Sequence, residues 1–305
     1  MLKPGLYEQV INKDLGREID QATEQVKSVA PIDKAEASKV LAKYLTKIIE
    51  KGLENVKDKD GNIDKQINLA NKIVQIINAE TQENDFEGLT VDQRAQQLLA
   101  ILNRQNTIYA VNENAEVVRP KTSIAQSSLF TGAVHEPSMY TELKKEIVSA
   151  DRIDMLVSFI KWSGLRLIID DLRSFTQRGG QLRIITTSYM GATDAKAIEE
   201  LRQLPDTTIK VSYDTKRTRL HAKTYVFYRE TGFTTAYVGS SNLSNAAISS
   251  GLEWNVKVTA QDLPETLRKI DASFESYWNS TEFEEYSEDK KERLAQAIRA
   301  ERYHG

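Results

Sequence analysis

The first third of the chain has the hydrophobic pattern of amphipathic helices. Apolar residues recur every three or four positions over 37–48, which places them on one face of a helix. A polar turn at 57–62 precedes a second stripe over 63–77, and 91–102 continues the pattern. We therefore predict an all-helical N-terminal domain over residues 1–110. It is either a dimerisation or partner-docking unit, or a helical cap packed on the rest of the chain.

The middle of the chain alternates between predicted strands and helices. The near-continuous apolar run 153–160 is typical of a strand that is buried on both faces. Amphipathic helices are predicted over 165–172 and 195–204. They separate this strand from two further strands, 182–186 and 208–213. This order predicts an α/β/α sandwich with a mixed, largely parallel sheet.

The next predicted strand, 221–228, carries two polar residues at its start. Because side chains alternate along a strand, His221 and Lys223 lie on the same face. The sequence Thr231-Gly232 then favours a hairpin turn, so that the following strand returns beside the first.

The return strand ends in Gly239-Ser240-Ser241-Asn242, and Glu253 opens the strand after it. A short helix is predicted between them, over 244–250. Open α/β sheets bind their ligands at the ends of strands. We therefore expect five polar residues to meet at one edge of the sheet: His221, Lys223, Ser240, Asn242 and Glu253.

These residue types are suited to phosphodiester cleavage. The neutral imidazole of His221 is a good nucleophile near neutral pH and can form a covalent intermediate. The Lys223 ammonium and the Asn242 amide would orient and neutralise the phosphoryl oxygens. Glu253 would accept a hydrogen bond from the second imidazole nitrogen. No metal or other cofactor is required by this chemistry.

Composition narrows the class of protein. The 305 residues are 40% hydrophobic and 28% charged, as in a globular protein with a core. The chain has no cysteine and three widely separated histidines, which argues against disulfides and against a zinc site. It has no apolar signal core and no run of membrane-spanning length, so we expect a cytoplasmic protein without a membrane partner.

The net charge of −3 excludes a generally basic nucleic-acid binder, so local charge matters more. Lys216, Arg217 and Arg219 precede His221 and predict a positive approach for a polyanion. A solvated basic loop is the alternative. Trp162 and Tyr189 follow predicted strands and would stack on exposed bases; the alternative is that both rings pack against helices.

The motif resembles the HKD motif of the phospholipase D superfamily: H-x-K, a later aspartate, G-S-x-N and a downstream glutamate. His221, Lys223, Ser240, Asn242 and Glu253 match it. Tyr228 stands where the family has its aspartate, a residue usually regarded as supporting and not reacting.

Four segments extend this resemblance over nearly the whole chain: 2–8, 159–165, 187–193 and 212–255. They are similar to the N-terminal phospholipase D-like nuclease region of bacterial DEAD/DEAH-box helicases linked to restriction or phage defence. No Walker A sequence is present, so this chain carries no P-loop motor of its own. The resemblance implies a phospholipase D-like catalytic domain over 111–282, followed by a charged helical tail or linker over 283–305.

The resemblance implies a metal-independent phosphodiesterase that cleaves DNA through a phosphohistidine, with RNA as the alternative substrate. Two-step cleavage needs a nucleophile and a separate general acid, but the motif occurs once. We therefore expect a homodimer that shares one composite site, with a helicase domain or subunit as a further partner. The alternative function is a catalytically silent, DNA-binding and dimerising module that positions a helicase. A lipid phosphodiesterase is disfavoured because the sequence lacks a basic amphipathic helix with aromatic anchors.

Overall fold

The computed structural model describes residues 1–81, 84–103, 116–214, 216, 220, 223–244 and 253–304. The chain divides into two units, Met1–Asn103 and Arg104–Gly305. The predicted domain boundary near residue 110 lies outside the described residues, and so do residues 245–250 of the short helix predicted over 244–250.

The first unit contains helices, as predicted, but residues 91–102, over which the apolar pattern predicted a continuing helix, are not helical. It contains α1 (Lys13–Gln21), α2 (Ala37–Asn55), α3 (Asp64–Thr81) and a 3₁₀ helix at Asn84–Leu89. Ile67 is its one buried hydrophobic side chain among the residues that the structure describes. The apolar stripe of α2 remains largely exposed at Leu41, Leu45 and Ile48. This unit therefore presents apolar surface and has almost no core of its own.

The second unit contains eight strands and six helices among its described residues. The strands are β1 (Ser128–Phe130), β2 (Arg152–Leu156), β3 (Gln181–Thr187), β4 (Thr207–Ser212), β5 (Thr224–Tyr228), β6 (Thr235–Gly239), β7 (Asn255–Thr259) and β8 (Glu284–Glu285). The helices are α4 (Met139–Ser149), α5 (Trp162–Leu165), α6 (Ile169–Gln177), α7 (Ala195–Arg202), α8 (Pro264–Trp278) and α9 (Lys291–His304). Two short 3₁₀ helices, Tyr189–Gly191 and Glu288–Lys290, complete the described elements. No helix in the described part of the chain is long and apolar enough to cross a bilayer.

The sheet is mixed, with strand order β1-β7-β6-β5-β2-β3-β4-β8. The helical crossovers make β2, β3 and β4 parallel, as predicted. The five other pairings between the described strands are antiparallel, so the sheet is mixed, as predicted, but not largely parallel. The physical reason is that β5, β6 and β7 follow one another through reversals of the chain, and β5 pairs antiparallel with β2.

Helices cover both faces of the sheet, which gives the predicted α/β/α architecture. One face carries Tyr225 and Phe227 and packs against α4, α5, α6, α7 and α9. The opposite face carries Val226 and packs against Leu267 of α8. The alternation predicted for β5 is therefore confirmed. The C-terminal segment contributes Leu294 and Ile298 of α9 to the main core.

A buried ionic network joins α4 to the sheet. Glu146 is fully buried and accepts hydrogen bonds from Arg229 Nη2 (2.7 Å), the Tyr237 hydroxyl (2.9 Å) and the Thr235 hydroxyl (3.0 Å). The Lys257 ammonium lies 3.5 Å from its carboxylate, and burial lowers the pKa of this lysine. Buried charges need such partners, since an unpaired one is strongly destabilising. The network therefore fixes α4 against β6 and β7.

Tyr228, at the position of the family's aspartate, lies at the far end of β5 from Lys223. At about 3.3 Å per residue, the two are separated by roughly 16 Å along the strand. The Tyr228 hydroxyl donates to Asp271 Oδ1 of α8 at 2.7 Å, and the Arg152 guanidinium lies 3.9 Å from the ring centre. Burial raises the pKa of the Tyr228 hydroxyl, which stays protonated as a donor. Tyr228 thus connects the sheet to α8.

We predict that Tyr228→Phe lowers the free energy of unfolding by about 1 kcal/mol, because it removes one hydrogen bond to a carboxylate but keeps the ring beneath Arg152. Chemical denaturation measures this change. Tyr277→Phe, on the same helix as Asp271, is the control and should change stability less. Unaltered stability of Tyr228→Phe would contradict the structural role.

Candidate active site

The predicted polar residues lie where several strands end at one edge of the sheet. Lys223 comes directly before β5, Ser240 directly after β6, and Glu253 shortly before β7. Because β6 runs antiparallel to both β5 and β7, these three positions share an edge. The antiparallel pairing of β5 with β2 makes it the same edge at which β2, β3 and β4 end. The structure therefore brings these ends together as the sequence predicted.

Gly239 allows the ends of β6 and β7 to approach closely. A Cβ atom here would collide with the Trp254 carbonyl oxygen and come within 2.6 Å of Asn255 Oδ1. The Gly239 N–H donates to the Lys223 carbonyl at 3.1 Å, and the Ser240 N–H donates to the Trp254 carbonyl at 3.3 Å. Ser240 is therefore held between the start of β5 and the start of β7.

Ser240 and Glu253 contact each other directly. The Ser240 hydroxyl donates a hydrogen bond to Glu253 Oε2. Ser240 is exposed and Glu253 is half-buried. A carboxylate has several acceptor positions, so this bond leaves Glu253 able to accept another donor.

Asn242 is buried, and its amide oxygen is engaged in a hydrogen bond. Its Oδ1 accepts the Phe159 N–H at 3.3 Å. The Lys161 N–H donates to the Leu243 carbonyl at 2.9 Å, which joins the segment after β2 to the segment after β6. Because the oxygen is used in this way, the amide NH₂ is the side of Asn242 that can donate to an anion.

Sequence reasoning missed the residues that position this turn. Ser241 is fully buried; its hydroxyl accepts from Asn255 Nδ2 at 2.7 Å, and its carbonyl accepts from the Tyr225 hydroxyl at 2.9 Å. Both partners belong to strands next to the turn. Asn255, two residues after Glu253, is the residue in the sequence that could have indicated these contacts. Its amide satisfies buried polar groups, which otherwise cost free energy.

Ser158 connects the segment after β2 to the chain just before the H-x-K motif. Its hydroxyl donates to the Leu220 carbonyl, and its own carbonyl accepts from the Thr187 hydroxyl at 2.8 Å. Leu220 itself is buried. This contact could not be predicted from the sequence, because Ser158 lies within an apolar run.

Of the remaining predicted site residues, His221, Arg217 and Arg219 lie outside the described residues. Lys216 is exposed, and its N–H donates to Asp214 Oδ1 at 3.1 Å. Tyr189 begins the short 3₁₀ helix after β3, where its N–H donates to the Thr187 hydroxyl at 3.1 Å.

The Trp162 ring packs against the protein, which was the alternative to stacking on an exposed base. The half-buried ring packs against the main core, and the Lys196 ammonium lies 4.5 Å from the ring centre. The backbone N–H of Trp162 donates to Asp194 Oδ2 at 2.8 Å. Direct stacking on a base would require Lys196 to move.

Among the described residues, one group of carboxylates is close enough to share a cation, but it already has protein partners. Asp154, Asp271 and Glu275 have oxygens within 4.8 Å of one another. Arg183 donates to Asp154 at 2.9 Å through both Nε and Nη2, and it also pairs with Glu275. Arg152 lies 3.7 Å from Asp271. The arginines therefore supply the compensating charge in this group.

We predict that Gly239→Ala destabilises the second unit by about 1–3 kcal/mol, because the added methyl group overpacks the junction of β6 and β7. The measurement is the free energy of unfolding in a denaturant titration. Gly52→Ala in α2 is the control: its Cβ would lie 3.7 Å from Leu69 Cδ2, an ordinary contact, so it should be neutral or stabilising. Equal effects of the two substitutions would show that the junction is not tight.

Part of the chain matches a known protein family. Residues 143–278 match the family described as "Cardiolipin synthase, PLD-like domain". A comparison with curated protein sequences finds no match.

Among solved structures, NucT from Helicobacter pylori is 20% identical, with 50% of this chain and 94% of that chain covered and a TM-score of 0.40. Nuc from Salmonella typhimurium, a phospholipase D family member, is 20% identical. The alignment covers 53% of this chain and 99% of Nuc, with a TM-score of 0.41. Phosphatidylserine synthase from Haemophilus influenzae Rd KW20 is 16% identical, and the alignment covers 60% of this chain and 44% of the synthase, with a TM-score of 0.40. The family match and the mixed sheet between helices show that residues 143–278 have a phospholipase D-like fold.

Proposed function

We propose that the protein is a metal-independent phosphodiesterase that cleaves DNA through a phosphohistidine. The observation that supports this most strongly is the meeting of Lys223, Ser240, Asn242 and Glu253 at one edge of a phospholipase D-like domain. In the sequence, His221 stands two residues before Lys223.

In the first step, an imidazole nitrogen of His221 attacks the phosphorus atom. The bond from phosphorus to the leaving oxygen breaks, and that oxygen takes a proton from a general acid. In the second step, water attacks the phosphohistidine and gives a proton to the same group, now a base. The phosphorus–nitrogen bond breaks and the imidazole is restored.

Charge stabilisation of both transition states is assigned to Lys223 and to the Asn242 amide NH₂. Lys223 is half-buried at the start of β5, where its ammonium would neutralise a phosphoryl oxygen. The amide oxygen of Asn242 is held by the Phe159 N–H, which orients the NH₂ group as a donor. One carboxylate oxygen of Glu253 accepts the Ser240 hydroxyl. A remaining acceptor position of Glu253 would accept a hydrogen bond from the second imidazole nitrogen of His221.

The general acid is assigned to His221 of a second copy. Since the H-x-K motif occurs once, two copies related by a two-fold axis would supply both imidazoles to one composite site. Analytical ultracentrifugation measures the oligomeric state. A protein that stays monomeric at all concentrations and is fully active would contradict this arrangement.

The substrate class follows from the family resemblance and from local charge. Lys216, Arg217 and Arg219 precede the motif, and such cations bind phosphate backbones without regard to sequence. We further propose that the protein acts with a helicase in restriction or phage defence. If His221→Ala left phage protection intact in a host that depends on this protein, that role would be wrong.

The test is incubation of the purified protein with labelled single- and double-stranded DNA in excess EDTA. We expect cleavage to continue in EDTA and His221→Ala to be at least about 10³-fold slower, because the nucleophile is lost. The matched control is His135→Ala, which removes an exposed loop histidine before α4 and should retain activity.

Loss of cleavage in EDTA would contradict the metal-independent mechanism. Binding without cleavage by wild-type protein, with no effect of His221→Ala, would instead support the alternative of a silent module that positions a helicase. Tyr228 in place of the family's aspartate is the feature that favours this alternative.

A further inference from the structure

A groove lies between the start of α7 and the C-terminal helix α9. Its volume is about 370 Å³, within the range of ligand-binding clefts. We call it the α7–α9 groove; the lining residues used below are Trp162, Asp194, Lys196, Ile298, Arg299 and Arg302.

Positive charge predominates among the lining residues. They include three cations, Lys196, Arg299 and Arg302, and one carboxylate, Asp194. Asp194 is already engaged: it accepts the Trp162 N–H at 2.8 Å and lies 3.9 Å from Arg302. An anionic ligand would therefore meet an excess of positive charge in the groove.

The three cations are not equivalent. Arg302 Nε donates to the Gly191 carbonyl at 2.8 Å, which fixes this guanidinium in the groove wall. The Lys196 ammonium rests over the Trp162 ring, and Arg299 pairs at 3.2 Å with the exposed Glu292. Exposed pairs of this kind contribute little free energy. Lys196 and Arg299 can therefore exchange their present contacts for a phosphate at small cost.

The groove adjoins the candidate active site through the segment after β2. The Phe159 N–H donates to Asn242, and the Lys161 N–H donates to the Leu243 carbonyl. The next residue, Trp162, lines the groove. The Asp194 N–H also donates to the Ile160 carbonyl at 2.8 Å. A chain of phosphates that leaves the active-site edge along this segment would reach the groove without crossing the sheet.

One wall of the groove lies outside the segment that matches the family. The match ends at residue 278, whereas α9 spans Lys291–His304. Ile298, in the groove wall, and Leu294 are buried in the main core, so α9 is a fixed part of the second unit. The groove is thus formed in part by residues beyond the matched segment.

We propose that the α7–α9 groove binds the phosphate backbone of a single nucleic-acid strand that extends from the active-site edge. The substrate class in this proposal rests on the proposed function. Lys196 and Arg299 contact phosphates, and Arg302 stabilises the groove wall through its hydrogen bond to the Gly191 carbonyl. Because such contacts read the backbone and not the bases, the groove adds affinity and direction without sequence preference.

The experiment compares two charge-matched double variants, each in the His221→Ala background so that the strand stays intact. Lys196→Gln with Arg299→Gln removes the groove cations. Arg268→Gln with Lys269→Gln removes the same charges from exposed positions on α8, on the opposite face of the sheet. Each double variant also removes one exposed arginine–glutamate pair, Arg299 with Glu292 in the groove variant and Arg268 with Glu265 in the control. Fluorescence anisotropy measures binding of a labelled single strand over a range of salt concentrations.

We expect the groove variant to bind about tenfold more weakly, with the slope of log affinity against log salt reduced by about 1.4 for two lost contacts. The α8 variant should differ much less from its His221→Ala parent. Equal affinities and slopes for the groove variant and its parent would overturn the proposal. Equal losses in both double variants would also overturn it, because net charge alone would then explain the effect.

A second measurement separates this proposal from the proposed function. With His221 intact, the groove variant should hydrolyse bis(p-nitrophenyl) phosphate in EDTA at the wild-type rate, because this small diester does not extend to the groove. If wild-type protein hydrolyses no diester, the proposed function fails while the binding comparison still decides the groove. If wild-type protein binds no nucleic acid, both proposals are overturned.

Discussion

The antiparallel pairing of β5 with β2 is the constraint on which the site depends. The crossovers through α5, α6 and α7 place the carboxyl ends of β2, β3 and β4 at one edge. Because β5 runs the other way, with Thr224 opposite Leu156, its start reaches that same edge. The reversals into β6 and β7 then add Ser240 and Glu253 to it. A β5 strand parallel to β2 would instead have placed Lys223 at the opposite edge.

Periodicity and turn chemistry account for what the sequence predicted correctly. Tyr225 and Val226 pack into separate cores on opposite faces, as strand alternation requires. Gly232 adopts a φ of +91° in the turn between β5 and β6, a conformation that favours glycine. These features are local, so a short window of sequence specifies them.

The errors and omissions concern contacts between distant segments. Strand direction depends on which strands pair, so the pattern of β5 could not reveal its position beside β2. The apolar edge of α9 is narrow in sequence, yet Ile298 is buried in the main core. Ser158 and Asn255 position the site through hydrogen bonds to residues that their neighbours in sequence do not indicate. His221 lies outside the described residues and stays a prediction from sequence.

The central claim is that His221 forms a covalent bond to phosphorus during cleavage. The most direct measurement is mass spectrometry of protein that has been denatured at alkaline pH during a single turnover of a short oligonucleotide, since alkaline conditions preserve phosphorus–nitrogen bonds. We expect a transient nucleotidyl phosphate adduct on the peptide that contains His221, and none in the His221→Ala variant. An adduct on another residue, or complete turnover with no adduct at any time, would contradict the mechanism.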